Sequence, residues 1–459
     1  MAHFKIAAIS IFLALTYQQS VNAAVRLINM VPGAQSNEKI SNSHPSLAID
    51  PTNRQRFAAW ARTEDPKPPF FDNLWVSTNR GATWSLSNSI PPQYSNASAS
   101  VGFNSTGSLF VGVDENGVSG FRIYRTENFS SSPNFVRLTS EFIDAVSGAQ
   151  ILLQKNGTAE RLLLVATEHG EAVSASIANA NASTAGLLPR TFINKRSNSF
   201  SGSNHLPLAS HADGTSYTVF RGNRVKLNSG PRADIIVFRD VVSAANRFDN
   251  LVGADKKIGV VVASSQPSYP AQFFETDSQT AIAVDPRNSK HVVIVFQEGL
   301  SIGGSTLHLR RSTDGGRTWS ADLRAVRKGK NPSVAFNSAG RLAFMYQVED
   351  AGRLITTLEE SDSAFVTPSR NVVNQLSNAA ILFSDANNPQ DAGPRTVLVA
   401  DGLAFIGVCA SPNTPIQSNF PAGVVYQRKV NWNNKTLLGT DGTSVISPSF
   451  DPFLVISEP

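Results

Sequence analysis

Leu307-His-Leu-Arg-Arg-Ser-Thr-Asp-Gly-Gly-Arg-Thr-Trp-Ser320 is the stretch on which the reading of this chain turns. Leu307 and Leu309 alternate with His308 and Arg310, the period of a strand with one buried face. Ser312-Thr-Asp314-Gly-Gly316 follows as a cluster of turn formers, and Thr318-Trp319-Ser320 favours strand again. The unit reads as a hairpin. Asp314 can accept from main-chain N–H groups a few residues on. Gly316 tolerates a positive φ. Trp319 carries a large apolar face to bury and an indole N–H that needs a partner.

A second copy stands at Ser77-Thr-Asn79-Arg-Gly81-Ala-Thr83-Trp84, with Asn79 in the place of Asp314. The turns Asp50-Pro51-x-Asn53 and Asp285-Pro286-x-Asn288 are offset by the same distance as Trp84 and Trp319. Segments 45–85 and 280–320 therefore align without a gap. Ser100-Val-Gly-Phe-Asn-Ser105 and Ser333-Val-Ala-Phe-Asn-Ser338 repeat in turn. Units of roughly 50 residues, each with short strands, are the pattern of propeller blades. A single four-stranded blade cannot bury both its faces, so the blades are expected to ring an axis.

The spacing Ser-x-Asp-x-Gly-x-Thr-Trp resembles the Asp box, or BNR repeat, of the sialidase superfamily. The boxes are 77–84 and 312–319, and their residues Ser77, Asn79, Gly81, Trp84, Ser312, Asp314, Gly316 and Trp319 are expected to be structural. The resemblance implies an all-β, sialidase-like β-propeller of four-stranded antiparallel blades. Six blades are expected, as in that family, with seven as the alternative.

Outside the repeats, the chain opens with Lys5, an apolar run from Ile6 to Thr16, and Val21-Asn-Ala23, the pattern of a secretory signal peptide. The expected organisation is a signal peptide at 1–23 and one propeller domain at 24–459, secreted and without a membrane span, since no later segment reaches the roughly 20 apolar residues a membrane helix needs. Residues 24–42 read as an opening strand or loose leader. A single cysteine, Cys409, excludes an internal disulfide framework. The net charge of +5 is small and scattered, which disfavours nucleic acid as a partner. Asn-x-Ser/Thr occurs at Asn96, Asn104, Asn128, Asn156, Asn181 and Asn434, acceptors if the host glycosylates. The only helical pattern is Ser243 to Gly253. Patternless stretches at 64–73, 178–204 and 263–278 are candidate cleft walls, being long for plain connections.

In catalytic sialidases three arginines clamp the substrate carboxylate, an Asp is the acid/base, and a Tyr activated by a Glu is the nucleophile. The first of those arginines belongs to a Phe/Tyr-Arg-Ile-Pro motif. Here the matching run is Asn42-Ser43-His44-Pro45, so Ser43 stands in the arginine's place and cannot form a bidentate ion pair. Phe121-Arg122-Ile123-Tyr124 lacks the proline and reads as an ordinary strand. The remaining candidates are Arg62 with Asp65 or Asp72, Glu168 at a strand end, Arg221 and Arg239 after apolar strands, and Tyr346, with Tyr426 as a second tyrosine by chain order. A solvated loop, a hairpin turn, strand-end arginines and core tyrosines account for the same residues. The histidines are dispersed without metal-ligand spacing, and no phosphate loop or nucleophile elbow is present, so no cofactor and no metal is expected.

Three functions compete. One is a non-catalytic propeller, expected as a monomer, that recognises a glycan or an extracellular protein. Another is an exo-glycosidase of the sialidase type acting on terminal acidic sugars. A third is a propeller glycosidase on neutral polysaccharide with two carboxylates about 5–10 Å apart.

Overall fold

In the computed structural model, Thr280–Val284, Val292–Glu298, Thr306–Ser312 and Arg324–Arg327 form one antiparallel sheet in chain order, and the quoted hairpin joins the third strand to the fourth. The structure describes residues 25–30, 43–63, 71–87, 96–115, 120–130, 133–138, 146–156, 159–168, 171–177, 180, 191–193, 206–227, 230–241, 248–265, 280–298, 305–350, 353–367, 371–380, 396–412, 424–426, 430–431, 436–438, 445–446 and 450–459. The expected signal segment, Asp65, Asn181, Asn434 and most of the patternless stretches lie outside them.

Seven such sheets follow one another. Their first strands are Ser43–Ile49, Asn96–Phe103, Val146–Asn156, Leu208–Ser210, Thr280–Val284, Gly329–Phe336 and Thr396–Asp401, in blades one to seven. Each first strand packs against the next, and Thr396–Asp401 returns to Ser43–Ile49, which closes the ring. The blade number is thus seven, the alternative to the expected six. The two quoted hairpins belong to blades one and five, on nearly opposite sides. Where the sequence suggested a helix, the described residues Phe248 to Gly253 make isolated bridges instead: Asp249 pairs with Arg239 and Val252 with Ile258.

Closure uses both ends of the described chain. Blade seven takes Thr396–Asp401, Ala404–Pro412 and Phe450–Ser457, then Val25–Asn29 as its fourth strand. Val25 pairs with Ser457 and Asn29 with Phe453, antiparallel. Val424–Tyr426 adds a parallel fifth strand beside it. The stretch expected at 24–42 to be an opening strand or loose leader begins as a strand, and that strand fastens the ring. Its Val25, Leu27, Ile28 and Met30 are all buried, because Ile28 and Met30 face blade one and Val25 and Leu27 face blade six.

Cores form between blades, as expected of sheets that cannot bury both faces alone. Trp84 packs with Phe57, Ile406, Val408, Leu454 and Ile456, between blades one and seven. Trp319 packs with Tyr217, Val237, Leu251 and Ile282, between blades five and four. Each box tryptophan thus leans on the preceding blade. The Trp319 indole N–H donates to Gly316 O at 3.0 Å.

The hairpin chemistry is shared residue for residue. Ser312 Oγ donates to Asp314 Oδ1 and accepts from Gly316 N–H at 2.8 Å, and Asp314 Oδ1 accepts from Thr318 N–H at 2.9 Å. Ser77, Asn79, Gly81 and Thr83 repeat these three bonds. One bond reverses. The Thr318 hydroxyl donates to Asp314, whereas the Asn79 amide donates to the Thr83 hydroxyl. Gly81 and Gly316 take φ of 77° and 87°, and a Cβ at Gly81 would stand 2.1 Å from Leu454 Cδ2. Glycine is required there by both backbone and neighbour.

Blade six hides a third hairpin of this kind. Ser361 Oγ accepts from Phe365 N–H at 2.8 Å, and Ser363 Oγ accepts from Thr367 N–H at 2.8 Å. Ser363 stands in the Asp slot and Phe365, at φ 66°, in the glycine slot. Blade two starts the same way, with Asn128 N–H on Thr126 Oγ1 at 3.3 Å.

Burial raises the pKa of Asp314, but hydrogen bonds from the Thr318 hydroxyl and N–H, the Ser312 hydroxyl and the Arg317 N–H outweigh it and bring the group to about 2. Its folded value lies below the unfolded value of about 3.9. The stabilisation is therefore present above pH ~4 and lost as pH falls towards 2. Asp314→Asn should flatten the loss of thermal stability between pH 4 and 2, while leaving the midpoint at neutral pH lowered only slightly, since Asn79 holds the same turn. Melting curves across that range check this, and an unchanged acid limb would contradict it.

Candidate functional site

The antiparallel order gives the ring two unlike ends. First-to-second and third-to-fourth turns share the hairpin face; second-to-third turns and blade-to-blade crossovers share the opposite, crossover face.

On the hairpin face neighbouring turns are laced together all the way round. Gly107 abuts Thr52 and the Asp50 carboxylate. Glu160 accepts from Ser105 N–H at 2.9 Å. The Gln154 amide donates to Gly214 O and, at 2.6 Å, to Ser216 Oγ. His211 Nε2 meets Pro286 O at 3.0 Å. Arg287 lies over Gly340. Ser338 N–H donates to Gly402 O at 2.8 Å, and Asp401 pairs with Arg54 at 3.2 Å, which returns to blade one. Buried side chains reinforce the seams: Arg161 of blade three meets Asp240 of blade four at 2.7 Å, both almost wholly buried. These contacts commit part of that face's polar groups to its own turns.

The crossover end is built differently. The first strands of blades one, two, three and six carry a bulge near this end, between Ser43 and Ser46, Asn96 and Ala99, Ser147 and Gln150, and Lys330 and Ser333. Bulges interrupt the ladder and re-aim side chains. Just past them stand equivalent hydroxyls. Ser46 Oγ accepts from Val101 N–H at 3.1 Å, and Ser100 Oγ from Ile151 N–H at 3.1 Å. The Thr396 hydroxyl donates to Asn331 O at 2.7 Å, so Ser333 donates to Thr396 Oγ1 at 2.8 Å. This partial collar braces the axis beneath the crossover end. The repeated Ser-Val-x-Phe-Asn-Ser already marked Ser100 and Ser333 in the sequence, but as a repeat and not as a brace.

The candidate residues divide between these places. Ser43 and Asp72 both pair with Arg62, so the three share one level on adjacent strands of blade one, at the crossover end. Glu168 ends its strand at the same face of blade three, opposite Val146 and Glu171. Tyr426 pairs with Leu27 in blade seven.

Arg239 sits at the other end: it donates to Gly315 O at 2.9 Å and Asn250 O at 2.7 Å, tying blade four to the blade-five hairpin. Arg221 is buried and donates to Gln297 O across the same seam. In place of the anion clamp considered for them, both guanidiniums serve main-chain carbonyls, which leaves them four residues apart along one strand pair and on different bonds.

Tyr346 does have a glutamate, on the adjacent strand of blade six. Its hydroxyl donates to Glu359 Oε1 at 2.5 Å, and Arg324 of blade five binds the same carboxylate through two nitrogens at 2.9 and 2.7 Å. The pair lies in the core between blades five and six, among Phe344 and Phe365, and not on the axis. Burial and the negative Glu359 push the phenol well above its ordinary pKa, so it stays protonated, the opposite of an activated nucleophile. Among the described residues no group of three or more His, Cys, Asp or Glu could hold a metal, and no helix is long and apolar enough to cross a membrane.

No family model matches the chain, and no curated protein sequence matches it. Solved structures resemble its backbone. An α-L-arabinanase of Penicillium chrysogenum complexed with arabinobiose has 8% identity, covering 95% of this chain and 98% of that one, with a TM-score of 0.41. The Aleuria aurantia lectin has 8% identity, covering 68% and 87%, with a TM-score of 0.40. A Hadza microbial sialidase has 13% identity, covering 80% and 63%, with a TM-score of 0.38. At these scores none of them bears on this chain's ligand.

Proposed function

We propose that this chain is a secreted, Asp-box propeller of the sialidase type that recognises a glycan at its crossover face without hydrolysing it. The observation that carries this reading is the engagement of Tyr346 and Arg221. The one tyrosine with a described glutamate partner is sealed in an inter-blade core, and Arg221 is committed to Gln297 O. Ser43, in the place of the family's first arginine, supports the same conclusion. What remains for the crossover face is a braced axial rim, suited to holding a ligand by hydrogen bonds and charge. Soluble extracellular glycans are the partner class, with a protein surface as the lesser alternative.

The rival, an exo-glycosidase on acidic sugars, draws on one specific observation: Ser43, Arg62 and Asp72 at one level of blade one. A fluorogenic sialoside assay followed by a glycan array separates the two. Binding on the array with no turnover is the expected result. Release of sialic acid that Arg62→Ala abolishes would replace recognition by catalysis.

A further inference from the structure

Half of the exposed large apolar side chains among the described residues stand in one short span of blade four: Val241, Val252, Ile258 and Val261. The span runs from the end of the third strand, Gly230–Asp240, into the outer fourth strand, Val260–Ser265. Residues 241–259 make this link, of which 241 and 248–259 are described, whereas 78–84, 313–323 and 362–370 make it in blades one, five and six. A bridge between Val252 and Ile258 turns its end into a small hairpin. Gly259 N–H donates to Leu251 O at 2.7 Å and Gly253 N–H to Lys257 O at 2.9 Å. Leu251 is buried with Trp319 of blade five, while its neighbour Val252 is 55% exposed.

The tip of this hairpin is cationic. Lys256 and Lys257 are exposed, and neither has an ion-pair partner among the described residues. The adjacent Asp255 carboxylate accepts from the Lys257 N–H at 3.2 Å, within the turn itself. Lys256 is held at φ 60°, where glycine is at ease and lysine is not. The turn keeps a cation where its backbone favours none.

Val260–Ser265 is an open edge, paired only with Gly230–Asp240. An edge strand presents main-chain donors and acceptors that can capture another strand. Arg310 of blade five occupies one acceptor, Val262 O, at 2.9 Å. The outer strands of blades one, two, three and five are shorter: Ser85–Ser87, Val136–Arg137, Thr191–Phe192 and Arg324–Arg327. Blade six has a longer one, Asn371–Ala380, but Asn374, Gln375 and Asn378 interrupt it. In blade seven the chain itself supplies a fifth strand, Val424–Tyr426, beside Val25–Asn29. Val-Val-Val-Ala263 of blade four is left as an apolar edge with no such cover among the described residues.

We infer that this edge docks an extended, acidic segment of a protein partner. The segment adds as a fifth strand beside Val260–Ser265, lays apolar side chains on Val252, Ile258 and Val261, and brings carboxylates to Lys256 and Lys257. Strand addition supplies affinity through the main chain, and the alternate side chains with the two charges supply selectivity. The lysines give the partner its sign. The site belongs to the outer wall and the hairpin face, apart from the crossover face.

The test pans a library of random twelve-residue peptides on the full chain and measures the enriched peptide by fluorescence polarisation. An alternating aliphatic segment with two or more acidic residues at one end is the expected product. The double variant Lys256→Gly, Lys257→Gln removes both charges and keeps the turn, because glycine accepts that φ. It should bind the peptide about ten-fold more weakly, with a flatter salt dependence. Val261→Glu, at an exposed position, sets a like charge on the edge and should abolish binding. Proline at alternate positions of the peptide should abolish it too, since proline cannot donate to a ladder. No enrichment, enriched peptides without acids, or equal binding by parent and both variants would overturn the inference. Sedimentation with phosphatidylserine vesicles, or dimerisation of the chain, that Val261→Glu removes in place of peptide binding would overturn it as well. None of these results bears on glycan recognition at the crossover face, which the glycan array tests separately.

Discussion

A chain lacking residues 1–30 should fail to unfold cooperatively, because it has lost the strand that closes the ring. Val25–Asn29 contributes a full antiparallel ladder to Phe450–Ser457, from Val25 opposite Ser457 to Asn29 opposite Phe453. It also buries Val25, Leu27, Ile28 and Met30. At about 1.5–3 kcal/mol per large apolar side chain, these four contribute roughly 6–12 kcal/mol. That is the scale of the whole net stability of a domain, about 5–15 kcal/mol. Circular dichroism during guanidinium titration checks it. Leu27→Ala supplies the graded version, with an expected loss of about 2–5 kcal/mol. A truncated chain with the parent's midpoint would mean that the ring closes some other way.

Arg161→Met should be the most damaging single substitution away from that closure. Arg161 reaches from blade three to Asp240 of blade four, with the two side chains 9% and 1% exposed. Burial raises the pKa of Asp240, and Arg161 pulls it back. Removing the cation strands a buried carboxylate, which costs about 3–5 kcal/mol. The sign with pH follows. A carboxyl whose folded pKa lies above its unfolded value binds more protons when folded, so the variant should be least impaired near pH 4 and progressively worse towards neutrality. Denaturant titrations at several pH values read this, and a pH-independent loss would point to packing instead of charge. Arg161→Met with Asp240→Leu should recover most of the loss, since a packed apolar pair at such a site is close to neutral.

The architecture was legible wherever the chain repeats itself. Two matching hairpins and two Asp-Pro turns in one register revealed the blade, and the structure packs Trp84 and Trp319 each against the preceding blade. The blade number was not legible, because crossovers range from Lys328 alone to residues 381–395, so dividing length by a repeat misleads. The third hairpin was hidden because Ser363 and Phe365 replace Asp and Gly. The Ser361 and Ser363 hydroxyls keep the hydrogen bonds, and the surrounding core, where Phe365 is buried against Phe344, holds the positive φ. Closure was hidden because the partner of Val25 is Ser457, so residues 24–42 read equally well as an opening strand or a loose leader.

The site was less legible, for one physical reason. What Arg221, Arg239 and Tyr346 do depends on the neighbouring blade or strand. Gln297 O, Gly315 O and Glu359 are their partners, and nothing in the local sequence around each residue marks them. A guanidinium facing an anion and one facing a carbonyl of the next blade read alike along a single strand. Arg62 and Asp72, read from the sequence as lying on the loop between strands, instead pair on adjacent strands of blade one.

Hydrogen exchange of the peptide spanning Val25–Met30, followed by mass spectrometry in native buffer, tests the seven-bladed ring most directly. If that strand seals blade seven, its amides should exchange only with global unfolding, at the rate of the peptide spanning Phe450–Ser457 and with the same denaturant dependence. Exchange at the rate of an unstructured peptide, while the Phe450–Ser457 amides stay protected, would contradict closure by this strand and the ring that depends on it.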